Sequence, residues 1–352
     1  MEIRPFKPFG SVSALTLGGG GLGQVWGETA REEAVATARL AVEQGMTHFD
    51  MAPIDGRGEA ETLIGEAFKG MDTSGFRFTT KYSLGLVEPE CTHDKLNASL
   101  TQSLQTMGIE RADLFFLHSQ LVEDGQVLSN DDELRDRIAA PLTYFMELVI
   151  PAFERLQAEG KIGGWGFALG QQSALESVVA SESPPTAVQC AANPLNSAGN
   201  IAYVTDSFNS RSILEACRAN DVPALAIGAA QAGALTSKMD RKLSADYPDQ
   251  LDVDRAEEFR MLATEWGQTP AWLAHRYALS IPDLGSVILG VKNQAELQEC
   301  LNAQCDPRLT AEEIASVEAA CQLVAVFHCD SDPKNPPYSP RLSMLDRATQ
   351  ST

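Results

Sequence analysis

Basic side chains are scarce in this sequence: 27 lysines and arginines stand against 48 aspartates and glutamates, a net charge of −21. That balance excludes the basic face that nucleic acid or anionic lipid requires, so neither is expected as a partner. Long apolar runs are also missing. No stretch reaches the ~18 residues of a membrane span, and none is expected. The opening MEIRPFKPFGSVSALTLGG lacks the basic-then-apolar order of a secretory leader. Cysteine is sparse and unpatterned, seven in all with no C-x-x-C. Reduced thiols in a cytoplasm are the expectation. No His/Cys/Asp set has zinc spacing and no nucleophile elbow occurs, so no metal is expected.

What is present is an ordinary globular mixture, 44% hydrophobic and 21% charged over 352 residues. A chain of that size buries a core without disulfides or metal. Eight short β-rich apolar runs lie at 14–18, 48–52, 76–82, 113–118, 164–169, 187–192, 224–229 and 286–290. Helical patterns alternate with them, at 31–44, 60–68, 95–107, 144–159, 173–180, 212–219, 255–266 and 295–300. Strands that are apolar throughout and separated by helices imply a parallel sheet, and eight of them suggest closure. The expected fold is α/β, a single-domain (β/α)8 TIM barrel over 1–328, with an N-terminal hairpin at 3–13 on the barrel floor. An irregular proline-rich tail follows at 329–352. A doubly wound open sheet is the alternative. Thr29 reads as the N-cap of the helix opening at Arg31, and Gly45, Gly108 and Gly160 read as C-terminal glycines. The acidic stretch 119–141 follows the fourth strand, and as a loop on the C-terminal face it is expected to shape the pocket.

Four ionisable groups stand at or just beyond strand ends: Asp50, Asp55, Lys81 and His118. In a barrel those ends converge on one mouth. Acid, ammonium and imidazole groups are costly to bury unless paired. Each alone has a structural explanation. Together, at consecutive strand ends, they favour a functional cluster.

The order and spacing of several motifs resemble the aldo-keto reductase family. They are HFDMAPIDGRGEAE at 48–61, FTTK at 78–81, DLFFLH at 113–118, EGKIGGWG at 159–166, VQCAAN at 188–193, QAGALT at 231–236 and SVILGVKNQAELQE at 286–299. The resemblance covers residues 3–320 and is nearest to bacterial aldose-dehydrogenase-like members. It implies a catalytic Asp, Tyr, Lys and His. Asp50, Lys81 and His118 match three, but the family's A-P-x-Y-G reads APIDG at 52–56, so the tyrosine position holds Asp55. Tyr82 neighbours Lys81 on a strand and should point to the opposite face.

A tyrosine, with a pKa of about 10, stays protonated at neutral pH and can give its proton to a nascent alkoxide. An aspartate beside Lys81 is expected to be ionised, with its pKa lowered by the cation, although Asp50 nearby works in the opposite sense. An ionised carboxylate is no general acid. On that expectation carbonyl reduction loses its proton donor, and Asp55 remains as a base, directly or through a water.

The resemblance further implies NADP as cofactor, with NAD possible. Gly290, Lys292, Asn293, Glu296 and Gln298 match the positions that hold the adenosine phosphate end, with Lys292 facing a 2′-phosphate or else solvated. Gln189 matches the residue that binds the nicotinamide amide. Departures fall at the nicotinamide end. The usual G-V-S-N reads GFAL at 166–169, and AIGAA at 226–230 carries no aromatic for the ring stack. GGGGLG at 18–23 is not the Rossmann fingerprint and resembles the family's first loop. Trp26, just beyond, either lines the substrate pocket or packs. His48 reads as a barrel-interior residue, His275 as a structural helix residue, and Cys190 as facing away from the interior.

Three readings stay open. The first is an NAD(P)-dependent oxidoreductase of a sugar or other polar small molecule, working in the oxidation direction. The second is a lyase or isomerase on a sugar-like substrate, using the Asp/Lys/His cluster. The third is a catalytically silent cofactor-binding protein. Oligomeric state is open as well.

Overall fold

The computed structural model describes residues 1–126, 136–199, 209–239, 241–244 and 247–322. The expected tail at 329–352 lies outside them, as does part of the 119–141 stretch. Strands β1 (Ile3–Pro5) and β2 (Ser11–Ser13) form an antiparallel hairpin, as the sequence suggests. Next come β3 (Leu15–Gly18), α1 (Gly19–Leu22), α2 (Arg31–Glu43), β4 (His48–Asp50), α3 (Glu59–Ala67), β5 (Arg77–Tyr82), α4 (Thr92–Met107) and β6 (Ala112–Leu117). Strands β7 (Gln120–Val122) and β8 (Ala139–Pro141) precede α5 (Ile150–Ala158), β9 (Ile162–Phe167), α6 (Gln172–Val179) and β10 (Ala187–Ala191). The chain continues through α7 (Ser210–Ala219), β11 (Ala224–Ile227), α8 (Pro248–Arg255), α9 (Glu257–Glu265) and α10 (Pro270–Ser280). It reaches β12 (Leu284–Leu289), α11 (Gln294–Cys305) and α12 (Ala311–Gln322).

Eight parallel strands close in the order β3, β4, β5, β6, β9, β10, β11, β12, and β12 returns to β3 through Val287 opposite Leu15. Closure removes the open-sheet alternative. Outward residues such as Leu17, Phe49, Phe115 and Phe167 join the helices in the main core. Inside, Phe6 and Val12 of the hairpin segment meet Leu114, Phe116, Ala187 and Leu225, so the hairpin plugs the floor. Gly285 is required there, because a Cβ would stand 2.5 Å from the Phe6 ring.

One interior layer is polar. His48 Nδ1 bonds Thr16 Oγ1 at 2.9 Å and Nε2 bonds Thr79 Oγ1 at 2.7 Å. Thr16 Oγ1 is also 2.7 Å from Ser286 Oγ. Four neighbouring strands are thereby cross-linked, with each hydroxyl satisfied inside the barrel.

Gly45, Gly108 and Gly160 take positive φ of 83°, 69° and 77°, the left-handed helix ending expected of them. Thr29 is not the N-cap of α2. Ala30 holds that position, which leaves Thr29 one residue too early to reach the first-turn amides. Its hydroxyl donates instead to the Lys292 carbonyl at 2.8 Å. The stretch expected as loop after β6 contains β7 and β8, paired in parallel with Gln120 opposite Ala139. The helical pattern at 255–266 resolves into two helices that meet at Ala256.

Candidate active site

Inward positions climb one pleat from each strand to the next at the mouth. Asp50 pairs in register with Thr79 and Lys81 with Phe116, so Lys81 stands a pleat above Asp50, and His118 a pleat above Phe116. This is the stagger that closing a barrel imposes. It brings the predicted side chains together. Lys81 Nζ lies 2.6 Å from Asp50 Oδ2 and 3.5 Å from the Met51 carbonyl. Asp50 Oδ1 accepts from Gln189 Nε2 at 2.7 Å. Asp50, Lys81 and Gln189 are all buried. Burial pushes the Asp50 carboxyl above the usual carboxylate range, while the Lys81 ammonium and Gln189 amide hold it down.

Asp55 follows a tight turn in which its N–H donates to Ala52 O at 2.9 Å. Its carboxylate leans on α1, where a Cβ on Gly19 would stand 2.5 Å from Oδ2. A Cβ on Gly23 would stand 2.6 Å from the Asp55 carbonyl carbon, so the glycine run serves close backbone approach. Burial raises the Asp55 pKa to about 7, outweighing the lowering by Lys81, and the charges of Asp50 and Glu61 add to the rise. The expectation of a lowered, fully ionised Asp55 is therefore corrected. From sequence the Lys81 charge was legible and the desolvation was not.

Glu61 is a contributor that the sequence reading left unassigned. It is buried, and it accepts from Thr80 Oγ1 at 2.7 Å on the outward face of the strand that carries Lys81. His118 is held near pKa 3 by burial and then by Lys81. It is a neutral hydrogen-bonding group at working pH and a weaker base than an ordinary imidazole.

Gly290 follows the eighth barrel strand and is exposed, with the half-buried Trp26 ring beside it. A Cβ at Gly290 would stand 2.9 Å from Trp26 Nε1, and one at Gly20 2.6 Å. The Arg241 guanidinium lies 5.6 Å from the Trp26 ring centroid. Trp26 thus faces the groove between the first and eighth strand ends. Lys292 pairs with Glu296, Nζ to Oε1 at 2.8 Å. Asn293 caps α11, its Oδ1 accepting from Glu296 N at 2.9 Å. Gln298 is exposed and donates to Asn302, one turn along the helix.

A nicotinamide dinucleotide meets a fitting donor set in part. The missing side chains at Gly290 and Gly20 make room for the Trp26 indole, which borders the groove. The Gln189 amide oxygen makes no hydrogen bond among the described residues, while its nitrogen serves Asp50. Ala168, Leu169 and Ile227 line a small pocket with Gln189, so the remaining contacts there are largely apolar.

The residues read as structural behave so. His48 lies in the interior polar layer, and Tyr82 packs among the helices. Cys190 points into the helical layer, with Sγ 3.6 Å from Ser210 O. His275 bonds Ala271 O at 2.7 Å and Cys300 Sγ at 3.5 Å. Among the described residues no cluster of three His, Cys, Asp or Glu could hold a metal, and no helix is long and apolar enough to cross a membrane.

Comparison with known proteins agrees with the closed barrel. The profile of the aldo/keto reductase family matches residues 14–322. The L-galactose dehydrogenase of Arabidopsis thaliana is 23% identical over 333 residues, covering 92% of this chain and 95% of that protein. Human aldo-keto reductase family 1 member C3 is 24% identical, covering 88% and 90%. Among solved structures, the glycerol dehydrogenase of Gluconobacter oxydans superimposes with a TM-score of 0.66 at 19% identity, covering 96% of this chain and 98% of that one. A holo aldo-keto reductase from Bacillus halodurans gives 0.66 at 18% identity, covering 91% and 96%.

Proposed function

The chain belongs to the aldo/keto reductase family, and on that premise we propose that it oxidises a sugar or similar polar alcohol with a nicotinamide dinucleotide, with Asp55 as the proton-transfer group. The observation that carries this reading is the Asp55 carboxyl, half-buried against the glycines of α1 in the field of Lys81, with its pKa raised to about 7. A group poised there serves as a base above neutrality and as an acid below it. The dinucleotide supplies the hydride acceptor or donor. Lys81 holds the substrate oxygen, and Asp50 orients Lys81 through the 2.6 Å pair. In oxidation Asp55 takes the hydroxyl proton as the substrate C–H bond yields its hydride, leaving a carbonyl. The neutral His118 donates or accepts a hydrogen bond to substrate without changing charge.

The similarity to an L-galactose dehydrogenase and the fold shared with a glycerol dehydrogenase support a polyol or aldose as substrate. The deciding experiment is a panel of aldoses and polyols, assayed by absorbance of the reduced cofactor. Turnover that vanishes in Asp55→Asn with cofactor affinity retained fits the reading. Unchanged turnover in that variant removes Asp55 from the chemistry.

A further inference from the structure

We propose that the adenosine end of the groove selects NAD over its 2′-phosphorylated counterpart, because two carboxylates of the chain already occupy the N-terminal turn of α11. The inference rests on the dinucleotide reading above and adds which dinucleotide is bound.

The amides and positive dipole end of a helix N-terminus ordinarily favour an added anion. Here part of that capacity is taken. Gln294 N donates to Glu33 Oε1 at 2.9 Å, and Gln294 Nε2 to Glu33 Oε2 at 3.2 Å. Lys292 N donates to Glu296 Oε2 at 2.9 Å, while Lys292 Nζ lies 2.8 Å from Glu296 Oε1. The cation expected to meet a phosphate is thus countered by a neighbour four residues along. Glu33 reaches in from α2, and the Thr29 hydroxyl fixes the Lys292 carbonyl at 2.8 Å.

A ribose 2′-hydroxyl brings a donor, which a carboxylate accepts. A 2′-phosphate brings two negative charges and no donor. To bind, it must displace a carboxylate from its amides or stand against two of them.

Isothermal titration of the full chain with NADH, NADPH, 5′-AMP and 2′,5′-ADP tests this without turnover. The expected result is NADH tighter than NADPH by at least about tenfold, with the same order for AMP over 2′,5′-ADP. Glu33→Gln combined with Glu296→Gln should bring the ratio toward unity by strengthening the phosphorylated ligands. The wild-type ratio decides the matter even if that variant misfolds. NADPH binding as tightly as NADH, or tighter, overturns the inference and leaves the oxidoreductase reading intact. Binding of neither dinucleotide overturns both.

Discussion

Lys81 Nζ sits 2.6 Å from Asp50 Oδ2, and both side chains are more than nine-tenths buried. A pair so enclosed is costly to break from one side, because the remaining charge is stranded in a poor solvent, at about 3–5 kcal/mol. Lys81→Met should therefore lose both turnover and stability, and Asp50→Asn should do likewise. The double variant Asp50→Asn/Lys81→Met should be more stable than Lys81→Met while remaining inactive. Urea denaturation of the four proteins checks the coupling. Additive losses would mean that the two groups do not act as a unit.

The pH dependence follows from Asp55. Its pKa is raised to about 7, so the carboxyl is mostly protonated below that pH and mostly ionised above it. Alcohol oxidation should rise with pH through about 7, and carbonyl reduction should fall over the same interval. The groups facing it are Lys81, Asp50 and Glu61, with His118 neutral throughout. A profile flat between pH 5 and 9, or a limb that survives in Asp55→Asn, would assign the proton to another group.

Gly19 controls where that carboxyl rests. A Cβ there would stand 2.5 Å from Asp55 Oδ2, 3.0 Å from Ala60 Cβ and 3.1 Å from Met51 Sδ. Gly19→Ala must displace the Asp55 carboxylate. The expected outcome is a loss in kcat of about tenfold or more with only a modest fall in Tm. Equal losses in activity and folded fraction would show a packing defect instead.

The strands were legible because each is a short apolar run bounded by turn residues, and the mouth was legible because barrel topology places strand ends together. The pair between Asp50 and Lys81 follows from that logic alone. The proton affinity of Asp55 does not, since it depends on desolvation in the folded mouth, beside Gly19, and on the charges of Asp50 and Glu61. Glu33 lies in the first turn of α2, where an acid is ordinary, yet its carboxylate meets Gln294 from 261 positions away. No local pattern announces such a contact. Thr29 failed as a cap by a single residue, within the ordinary error of helix boundaries.

The polar layer around His48 makes a prediction about stability rather than chemistry. Burial, then the charges of Lys81 and Arg77, hold the His48 pKa at about 3 in the fold. In the unfolded chain it returns to about 6.5. The folded state thus binds fewer protons, so this contribution is complete above pH 6.5 and is lost as pH falls toward 3. His48→Gln should blunt that acid sensitivity in denaturant titrations at pH 7, 5 and 4. His48→Ala should instead cost about 2–4 kcal/mol at pH 7, because it opens a cavity and strands the Thr79 hydroxyl, and the cost should shrink toward pH 4 as the wild type loses its own His48 contribution.

Asp55→Tyr tests whether the rest of the mouth still suits the family's chemistry. A tyrosine keeps its proton at neutral pH, with an ordinary pKa of about 10, and reaches several ångströms farther into the pocket. Asp50, Lys81 and Gln189 already form one hydrogen-bonded group at the mouth. The variant should gain aldehyde reduction at pH 7 by about tenfold or more over the parent and lose the limb near pH 7 that belongs to the carboxyl. It should also lose sugar oxidation near neutrality, since a protonated phenol is a poor base there. A folded variant that binds cofactor but gains no reduction would mean that the pocket has been rebuilt around the shorter acid. The natural substrate would then approach deeper, within direct reach of Asp55.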